Sequence, residues 1–322
     1  MLSIRIYYLG NYLRLGRQMY KLYFLISRFQ KRRAQLNKKT SKNLQRIIDY
    51  IEAYYNLYIK RKWSSDTHLQ LNKIKRDQRI IVSLTSYPKR IDTIWLTITS
   101  LFKQKMKPDL IVLWLAKSQF KTLDDLPDSL KRLQHYGLQI RLCDDLKSHK
   151  KYYYALQEYN KDIVILTDDD MIYPSDTIEK LYKMHVKYPT DICTMSAQYI
   201  GNDHNTVPSK WVNTKVGEKY IHSDEIQIFT GSGSLYPPNC LFEDVFNKDL
   251  IKKLCPYADD LWLTYMAMKK GTRITSAYPW RTFPINIYGT SVGSLWYINA
   301  QDGKNDIQWK SLIAYYERKS NL

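Results

Sequence analysis

The 322-residue sequence has only four cysteines, and no two of them stand in C-x-x-C spacing. This pattern excludes a zinc site of the usual spacing and a disulfide framework, and it predicts a reduced, cytosolic compartment. The sequence also lacks any stretch of roughly 18–20 uncharged apolar residues, the length that a membrane-spanning helix needs. Basic residues interrupt every apolar run near the N-terminus, so we predict no secretory signal there.

Acidic residues are scarce in the first quarter of the chain. Residues 1–79 contain 19 Lys and Arg but only four Asp and Glu, a net charge of +15, whereas residues 80–322 carry +4. Such a basic segment suggests an anionic surface, either lipid or nucleic acid. Five tyrosines are interleaved with its leucines and basic residues: Tyr7, Tyr8, Tyr12, Tyr20 and Tyr23.

Aromatic and long basic side chains both favour the headgroup layer of a membrane. We therefore predict that residues 1–62 make a peripheral membrane contact and hold the protein at the inner face of the cell membrane. The alternatives are that these helices are solvated without a partner, mediate dimerisation or pack on the rest of the chain.

Hydrophobic spacing divides the chain into two parts. Apolar residues recur at helical spacing within residues 1–62, and residues 63–78 read as a linker, so residues 1–78 are predicted to be a basic helical extension. Residues 79–322 are predicted to be an α/β domain. Its strands are expected at 80–84, 110–115, 138–142 and 163–166, with helices between them, and further helices at 175–186 and 261–268 and a strand near 192–197.

Strands that alternate with helices in this way indicate a mostly parallel sheet flanked by helices. Ligands of such sheets bind beyond the carboxyl ends of the strands. The predicted site therefore lies in residues 85–90, 144–151 and 167–173.

Three consecutive carboxylates, Asp168, Asp169 and Asp170, follow the fourth predicted strand. They repel one another unless a positive charge lies among them. Because residues i and i+2 of an extended segment point the same way, Asp168 and Asp170 can share one divalent ion. Mn²⁺ or Mg²⁺, with substrate phosphates completing the shell, suits such a site. The alternative is a capping cluster for the next helix, although a cap needs only one acid.

These carboxylates resemble the D-x-D motif of nucleotide-sugar glycosyltransferases of the GT-A fold. A wider set of segments resembles family-two-like enzymes of bacterial capsule and cell-surface polysaccharide clusters. Those segments are Val82 to Ile91, Thr167 to Pro174, Gly231 to Pro238 and Ala258 to Leu263. The resemblance covers roughly residues 79–275. It implies a GT-A (Rossmann-like) fold, a metal-dependent transferase and a nucleotide-diphosphate sugar donor.

The same resemblance suggests donor-binding residues after the first and third strands. Thr85, Ser86, Tyr87 and Arg90 are predicted to hold ribose and phosphate, although a plain strand-to-helix turn is the alternative. Further donor contacts are predicted for Asp144, Asp145, Lys150 and Asp169. Lys150 and Lys151 both open a helix and could offset diphosphate charge, or either could be a solvated surface residue.

The acceptor and the general base are expected further along the chain. Gly231, Ser232 and Gly233 form a loop that the resemblance places beside the acceptor, and glycine lets the backbone approach a ligand. Asp259 and Asp260 match the acidic pair of inverting relatives, with Asp260 favoured as the base that takes the acceptor proton. Capping of the following helix is the alternative role for this pair. The acceptor is predicted to be a hydroxyl of a glycan, lipid-linked if the enzyme lies at the membrane.

Five other residues are candidates for the metal shell or the acceptor cleft. His222 could complete a metal shell, although a lone surface histidine is the simpler reading. The residues Trp280, Arg281, Trp296 and Trp309 could line the acceptor cleft or be buried.

Two other functions share features with this sequence. A haloacid-dehalogenase-type phosphohydrolase also places D-x-D after a buried strand, but that strand opens its fold. A non-enzymatic nucleic-acid-binding protein is suggested by the total charge of +19. That charge is confined to residues 1–79 and no nucleic-acid-binding motif accompanies it, so we predict no nucleic-acid partner.

Overall fold

The computed structural model describes residues 18–19, 21–23, 25–27, 42–200, 206–213, 220–277, 284–290 and 303–320. The described residues from 18 to 27 are helical. The helices that follow are α1 (Lys42–Trp63), α2 (Ile94–Phe102), α3 (Asp128–Gln134), α4 (Lys150–Glu158), α5 (Thr177–Lys187), α6 (Lys248–Leu254), α7 (Asp259–Lys270) and α8 (Lys304–Ser320).

The first strand begins at Ile80, next to the predicted start of the α/β domain at residue 79. They are β1 (Ile80–Thr85), β2 (Leu110–Ala116), β3 (Leu138–Cys143), β4 (Ile163–Leu166), β5 (Met171–Ile172), β6 (Ile192–Thr194), β7 (Ala197–Tyr199), β8 (Val212–Asn213), β9 (Tyr220–Ser223), β10 (Ile226–Ile228), β11 (Ser234–Tyr236), β12 (Ile274–Ala277) and β13 (Ile285–Asn286).

Eight strands form the central sheet in the order β3-β2-β1-β4-β11-β6-β12-β9. The pairs β2–β3, β1–β2, β1–β4 and β6–β12 are parallel, and of these eight described strands β11 and β9 run against their neighbours. The predicted α/β fold with a mostly parallel sheet is confirmed. Two smaller sheets, β10-β7-β8 and β13-β5, lie beside it.

Helices cover both faces of the central sheet, which explains why its strands are apolar on both sides. One face packs against α4, α7 and α8, with Tyr152, Trp262 and Trp309 in its core. The other face packs against α2, α3 and α5, with Ile94, Leu130 and Ile178 buried there. This three-layer arrangement exposes the strand ends and the loops that follow them.

The region predicted as one strand near 192–197 differs from that expectation. Its first half, β6, pairs with β11 and β12 in the central sheet, whereas its second half, β7, pairs with β10 and β8. The chain changes sheets at Met195 and Ser196, where Met195 N–H donates to Gly233 O and Ser196 O accepts from Phe229 N–H.

Helix α1 packs on the α/β domain through one face. Ile48 and Ile51 share a small apolar cluster with Tyr23 and Ile285, while Ile59 and Trp63 join the core around α2. The segment that follows α1 is extended and fixed to the domain, since Arg76 pairs with Asp109 at 2.7 Å. None of the described helices combines the length and the apolar character that a bilayer-spanning helix requires.

Candidate functional site

The loops after β1 and β4 meet at the carboxyl edge of the sheet. Ser86 Oγ donates to Asp169 Oδ2 at 2.5 Å, and Arg90 Nη1 donates to Asp169 Oδ1 at 2.6 Å. Arg90 Nη2 lies 2.9 Å from Asp170 Oδ2 and also donates to Thr290 O at 3.0 Å. Asp169 and Asp170 thus share the Arg90 guanidinium, whereas Asp168 contacts Lys151.

Arg90 holds the carboxylate motif in place. Its guanidinium is buried; burial alone would lower its pKa, but the charges of Asp169 and Asp170 raise the pKa above its usual value. The sequence predicted contact between Arg90 and a donor phosphate. In the structure the guanidinium instead pairs with the carboxylates of Asp169 and Asp170. A phosphate that contacted Arg90 would therefore lie next to these two carboxylates.

Lys151 occupies the centre of the acidic residues. Its Nζ donates to Asp168 Oδ1 at 2.5 Å and lies 2.9 Å from Asp259 Oδ2. Burial opposes the charge of this lysine, but the carboxylates of Asp168, Asp259 and Asp260 raise its pKa well above the usual value. A buried ammonium therefore joins the predicted metal motif to the predicted base pair.

The two aspartates at the start of α7 have opposite environments. Burial raises the pKa of Asp259, but Lys151 outweighs burial and the net shift is downward. Burial and the neighbouring charge of Asp259 raise the pKa of Asp260 to about 7. Thr230 fixes the Asp260 carboxyl group, because its O–H and its backbone N–H donate to Oδ1 at 2.6 and 3.0 Å. Carboxyl groups whose pKa values are driven apart in this way are suited to different roles.

The glycine loop lies directly against the carboxylate motif. A Cβ atom on Gly231 would lie 2.5 Å from Asp168 Oδ2, so only glycine fits there without displacing that carboxylate. Tyr173 O–H donates to Gly231 O at 2.6 Å and Tyr173 Oη accepts from Asp168 N–H at 2.9 Å, which ties the loop to the motif. Gly233 has φ +102°, a conformation that L side chains rarely adopt. Ser232 between them is buried.

The remaining predicted donor residues lie around this centre. Thr85 Oγ1 donates to Trp114 O at 2.8 Å, and the Tyr87 ring lies 5.5 Å from the Arg90 guanidinium. After β3, Lys150 is buried and pairs with Asp145 at 2.9 Å, whereas Asp144 is exposed and pairs with Lys248. The two adjacent lysines therefore point to different acids: Lys151 reaches the centre and Lys150 stabilises the loop after β3.

Residues with weaker predictions lie elsewhere. His222 is on β9 at the opposite edge of the sheet, where its Nδ1 lies 2.6 Å from Asp191 Oδ2, so it cannot join a metal held by Asp168 and Asp170. Trp309 is fully buried and packs against Trp211 and Tyr265. Trp280, Arg281 and Trp296 lie outside the described residues.

Thr230, Tyr173 and Thr290 contact the site, although the sequence pattern did not predict a role for them. Thr230 immediately precedes the glycine loop and Tyr173 lies three residues after Asp170, so proximity in sequence was a usable signal for both. No signal was available for Thr290, which lies 200 residues from Arg90 and meets it only through folding.

Among the described residues, negative charge exceeds positive charge at this edge of the sheet. Ion pairs join four neighbouring carboxylates, Asp168, Asp169, Asp170 and Asp259, to two cations, Lys151 and Arg90, and the charge of Lys151 also acts on a fifth, Asp260. Asp170 Oδ1 is buried and accepts no hydrogen bond from another described residue. No three His, Cys, Asp or Glu side chains of the described ranges converge as a ready-made metal cage. The site thus fits a cation that takes one or two protein ligands and several from its substrate.

The comparisons with known proteins agree with this geometry. The family model described as Glycosyl transferase family 2 matches residues 80–239, which span β1 to the segment just after β11 and include the carboxylate motif and the glycine loop. Residues 80–239 are a glycosyl transferase family 2 domain. The protein is a glycosyltransferase, as predicted. The family also supports the predicted class of donor, a nucleotide sugar. The three aspartates follow β4, the fourth strand along the chain. In the phosphohydrolase alternative, the corresponding motif follows the first strand of the fold.

Solved structures similar to this glycosyltransferase are distant in sequence. The mannosyltransferase PcManGT from Pyrobaculum calidifontis, solved with GDP-Man and Mn²⁺, is 14% identical, with a TM-score of 0.45 over 83% of this chain and 72% of its own. Residues 1–349 of S. aureus TarS are 15% identical, with a TM-score of 0.42 over 64% of this chain and 60% of that one. A second TarS structure contains UDP. No curated protein sequence matches the chain significantly.

Proposed function

We propose that the enzyme transfers a sugar from a nucleotide-diphosphate donor to a glycan hydroxyl, with a divalent cation held by Asp168 and Asp170 and with inversion at the anomeric carbon. The observation that carries this proposal is that, among the described residues, five carboxylates exceed two cations beside a glycine loop, in which a Cβ on Gly231 would displace the Asp168 carboxylate. An excess of negative charge attracts a divalent cation, and Mn²⁺ or Mg²⁺ prefers oxygen ligands.

Asp168 and Asp170 would hold the cation between them. The Asp168 side chain is 35% exposed, and that of Asp170 is 19% exposed, so both are accessible from the loop edge. When bound, Mn²⁺ or Mg²⁺ would stabilise the negative charge of the departing diphosphate. Arg90 and Ser86 hold Asp169, and this keeps the flanking carboxylates oriented.

Asp260 would act as the general base. A carboxylate with a pKa of about 7 takes a proton more readily than one with the ordinary value, because base strength rises with pKa. Lys151 keeps Asp259 ionised, and that charge in turn raises the pKa of Asp260. The acceptor hydroxyl would lie beside Gly231–Gly233, since Thr230 contacts Asp260 and Gly231 adjoins Asp168.

Helix α1 supports a peripheral membrane contact through its outer face. Ile47, Tyr50, Tyr54 and Leu57 are exposed and recur at helical spacing, which forms an apolar stripe on the side opposite the packed face. Exposed basic residues flank this stripe at both ends of the helix: Lys42, Arg46, Lys60 and Arg61. An apolar stripe between basic residues suits the surface of an anionic membrane.

This placement favours a lipid-linked glycan as the acceptor. Such an acceptor and the resemblance to capsule and cell-surface polysaccharide enzymes together support a role in surface polysaccharide synthesis at the cytoplasmic face of the membrane.

Donor hydrolysis tests the catalytic part of the proposal. Nucleotide sugars with UDP, GDP and dTDP carriers are incubated with full-length enzyme and Mn²⁺, Mg²⁺ or EDTA, and released nucleoside diphosphate is measured. We expect release from one carrier class with metal and none with EDTA or with Asp170→Asn. Hydrolysis of generic phosphate esters without turnover of any nucleotide sugar would contradict the proposal.

Vesicle co-sedimentation tests the membrane part. The full chain is needed, because α1 packs on the domain and deletion would expose Ile285 and the cores that α1 covers. Wild type should sediment with anionic vesicles and dissociate at high salt, since each engaged Lys or Arg contributes about 1 kcal/mol. Serine at Ile47, Tyr50, Tyr54 and Leu57 should abolish sedimentation while donor hydrolysis persists. Equal sedimentation of both proteins would contradict the membrane contact.

A further inference from the structure

A chain of hydrogen bonds joins α1 to the segment 284–290. Glu52 on α1 is buried, and its Oε1 accepts from Tyr23 O–H and from Asn286 Nδ2, both at 3.0 Å. One turn later, Asn56 Nδ2 donates to Asn286 O at 3.0 Å. Asn286 is thus held by α1 at its side chain and at its backbone, across more than 200 residues of sequence.

The segment 284–290 in turn holds the carboxylate motif. Strand β13 pairs with β5, which begins directly after Asp170. Ile287 N–H donates to Asp170 O at 2.7 Å, so the backbone of the motif is fixed from this side. Three residues later, Thr290 O accepts from Arg90, the residue that contacts Asp169 and Asp170.

Strand β13 is too short to hold this position alone. It contributes two residues to a two-stranded sheet, and an isolated ladder of that size is marginal in water. Its additional support comes from α1, where Ile285 is buried against Ile48 and Ile51 and Asn286 bonds to Glu52. Loss of the Glu52 acceptor would leave the Asn286 amide to bond with water, because Asn286 is exposed. Asn56 would still hold the Asn286 backbone, so the segment would be held more loosely.

We propose that Glu52 is a positioning residue for the diphosphate-binding centre: through Asn286 it fixes segment 284–290, which in turn fixes Asp170 and Arg90. This inference rests on the proposed role of Asp168 and Asp170. It makes the basic N-terminal region a part of the active-site architecture as well as a membrane contact. Glu52 touches neither donor nor acceptor and acts only through the segment.

The test compares three substitutions in the full-length enzyme. Glu52→Ala removes the acceptor, whereas Glu52→Gln keeps an oxygen that both Tyr23 and Asn286 can use. Ile59→Ala is the matched control, because it weakens the packing of the same helix at a residue buried in a different cluster. Amide hydrogen exchange is measured for peptides that cover 284–290 and 168–173, together with kcat and the donor KM.

We expect Glu52→Ala to speed exchange of the Ile287 amide about tenfold, the effect of roughly one lost hydrogen bond. Its donor KM should rise by a similar factor with a smaller change in kcat. Glu52→Gln and Ile59→Ala should leave the exchange of Ile287 close to wild type. Asn286→Ala, which removes the same bond from the other side, should reproduce Glu52→Ala and replaces it if that variant does not fold.

Two results would overturn the inference. One is unchanged exchange at 284–290 in Glu52→Ala or Asn286→Ala. The other is an equal effect of Ile59→Ala, which would show that general loosening of α1, and not Glu52, controls the segment. Failure of the proposed function would look different, because wild type would then release no nucleoside diphosphate while the exchange pattern of the variants still reported the coupling.

Discussion

Acidic and basic side chains cluster at both edges of the central sheet, but the two clusters differ in balance. At the edge opposite the candidate site, Asp191 Oδ2 accepts from Thr275 O–H at 2.6 Å and lies 2.6 Å from His222 Nδ1. Arg273 Nη1 contacts His222 Nε2 at 3.1 Å, and the imidazole stacks on Tyr188. The single carboxylate there, Asp191, is thus satisfied by the hydroxyl of Thr275 and the imidazole of His222.

At the carboxyl edge, among the described residues, four carboxylates pair with Lys151 and Arg90, and Lys151 also acts on a fifth, Asp260. Burial and mutual repulsion raise the pKa of Asp170 and of Asp260 to about 7 despite these two cations. Paired acidic and basic side chains alone therefore do not identify a functional site. What distinguishes the carboxyl edge, among the described residues, is carboxylate charge that exceeds its cationic partners beside the loops, where an incoming cation or proton can balance it.

Removal of a motif carboxylate should give the largest effect. Asp170→Asn keeps the size of the side chain but removes the charge that a divalent cation needs, so transfer should fall to background. Asp191→Asn makes the same change at the balanced edge and should retain most of the activity. The measurement is nucleoside diphosphate release by both variants, with folding checked by circular dichroism. A similar loss of nucleoside diphosphate release in both variants would contradict the functional difference between the two edges.

Asp260→Asn should have the next largest effect. Turnover should decrease by roughly 10²–10⁴ because proton transfer is lost, while donor binding changes little. Since the base must be deprotonated and its pKa is raised to about 7, the wild-type kcat/KM should fall as pH drops below about 7. The variant should lack this acid limb. A folded Asp260→Asn enzyme with near-normal turnover, or a product with retained anomeric configuration, would count against the assignment.

Lys151→Met should lower stability, in addition to any effect on activity through Asp168, Asp259 and Asp260. Asp168 and Asp259 would lose their shared ammonium, at a cost of about 3 kcal/mol near neutral pH for a buried charge left unpaired. In wild type Lys151 holds the pKa of Asp259 below its unfolded value, so this carboxylate stays mostly charged at pH 4. In the variant burial alone acts and raises that pKa, so lowering the pH protonates the unpaired carboxyl and relieves its cost. The Tm difference from wild type should therefore be larger at pH 8 than at pH 4.

The adjacent lysine provides the matched control. Lys150→Met also removes a buried ammonium, but Asp145 retains a contact with Lys147. Its Tm should fall less than that of Lys151→Met. An equal fall in both variants, or a Lys151→Met difference independent of pH, would contradict the central position of Lys151.

The smallest effect is expected for His222→Gln. Its side chain is 28% exposed, and a hydrogen bond such as the one between its Nδ1 and Asp191 contributes about 1 kcal/mol. Activity should stay at the wild-type level with Mn²⁺ or Mg²⁺. A loss of metal-dependent turnover would show that the two edges communicate, contrary to their separation in the fold.

Much of the fold could be read from the sequence because local signals agreed with the final structure. Strands β1, β2 and β4 are almost entirely buried and mostly apolar, whereas β3 alternates apolar and polar residues; the predicted positions of all four match the structure within one residue. Strand β11 was missed, since Leu235 and Tyr236 form too short an apolar run before two prolines. Its antiparallel insertion between β4 and β6 depends on contacts across some seventy residues, which no local pattern records.

The candidate site was predictable in part for the same reason. Three adjacent aspartates at a strand end signal chemistry by themselves. The choice between Lys150 and Lys151 was not predictable, because the two are adjacent and only the direction of the first turn of α4 separates them. The link from Glu52 to Asn286 spans 234 residues and was beyond any spacing argument.

Binding of a nucleoside diphosphate tests the central claim most directly, because it requires neither the acceptor nor the correct sugar. UDP and GDP are titrated calorimetrically into wild type, Asp170→Asn and Asp191→Asn, each with Mn²⁺ and with EDTA. We predict that wild type and Asp191→Asn bind one of the two nucleotides at least about tenfold more tightly with Mn²⁺, a gain of ~1.4 kcal/mol, and that Asp170→Asn loses this gain. Equally tight binding with EDTA, or an undiminished Mn²⁺ effect in Asp170→Asn, would contradict a metal and diphosphate site at the carboxyl edge of the sheet.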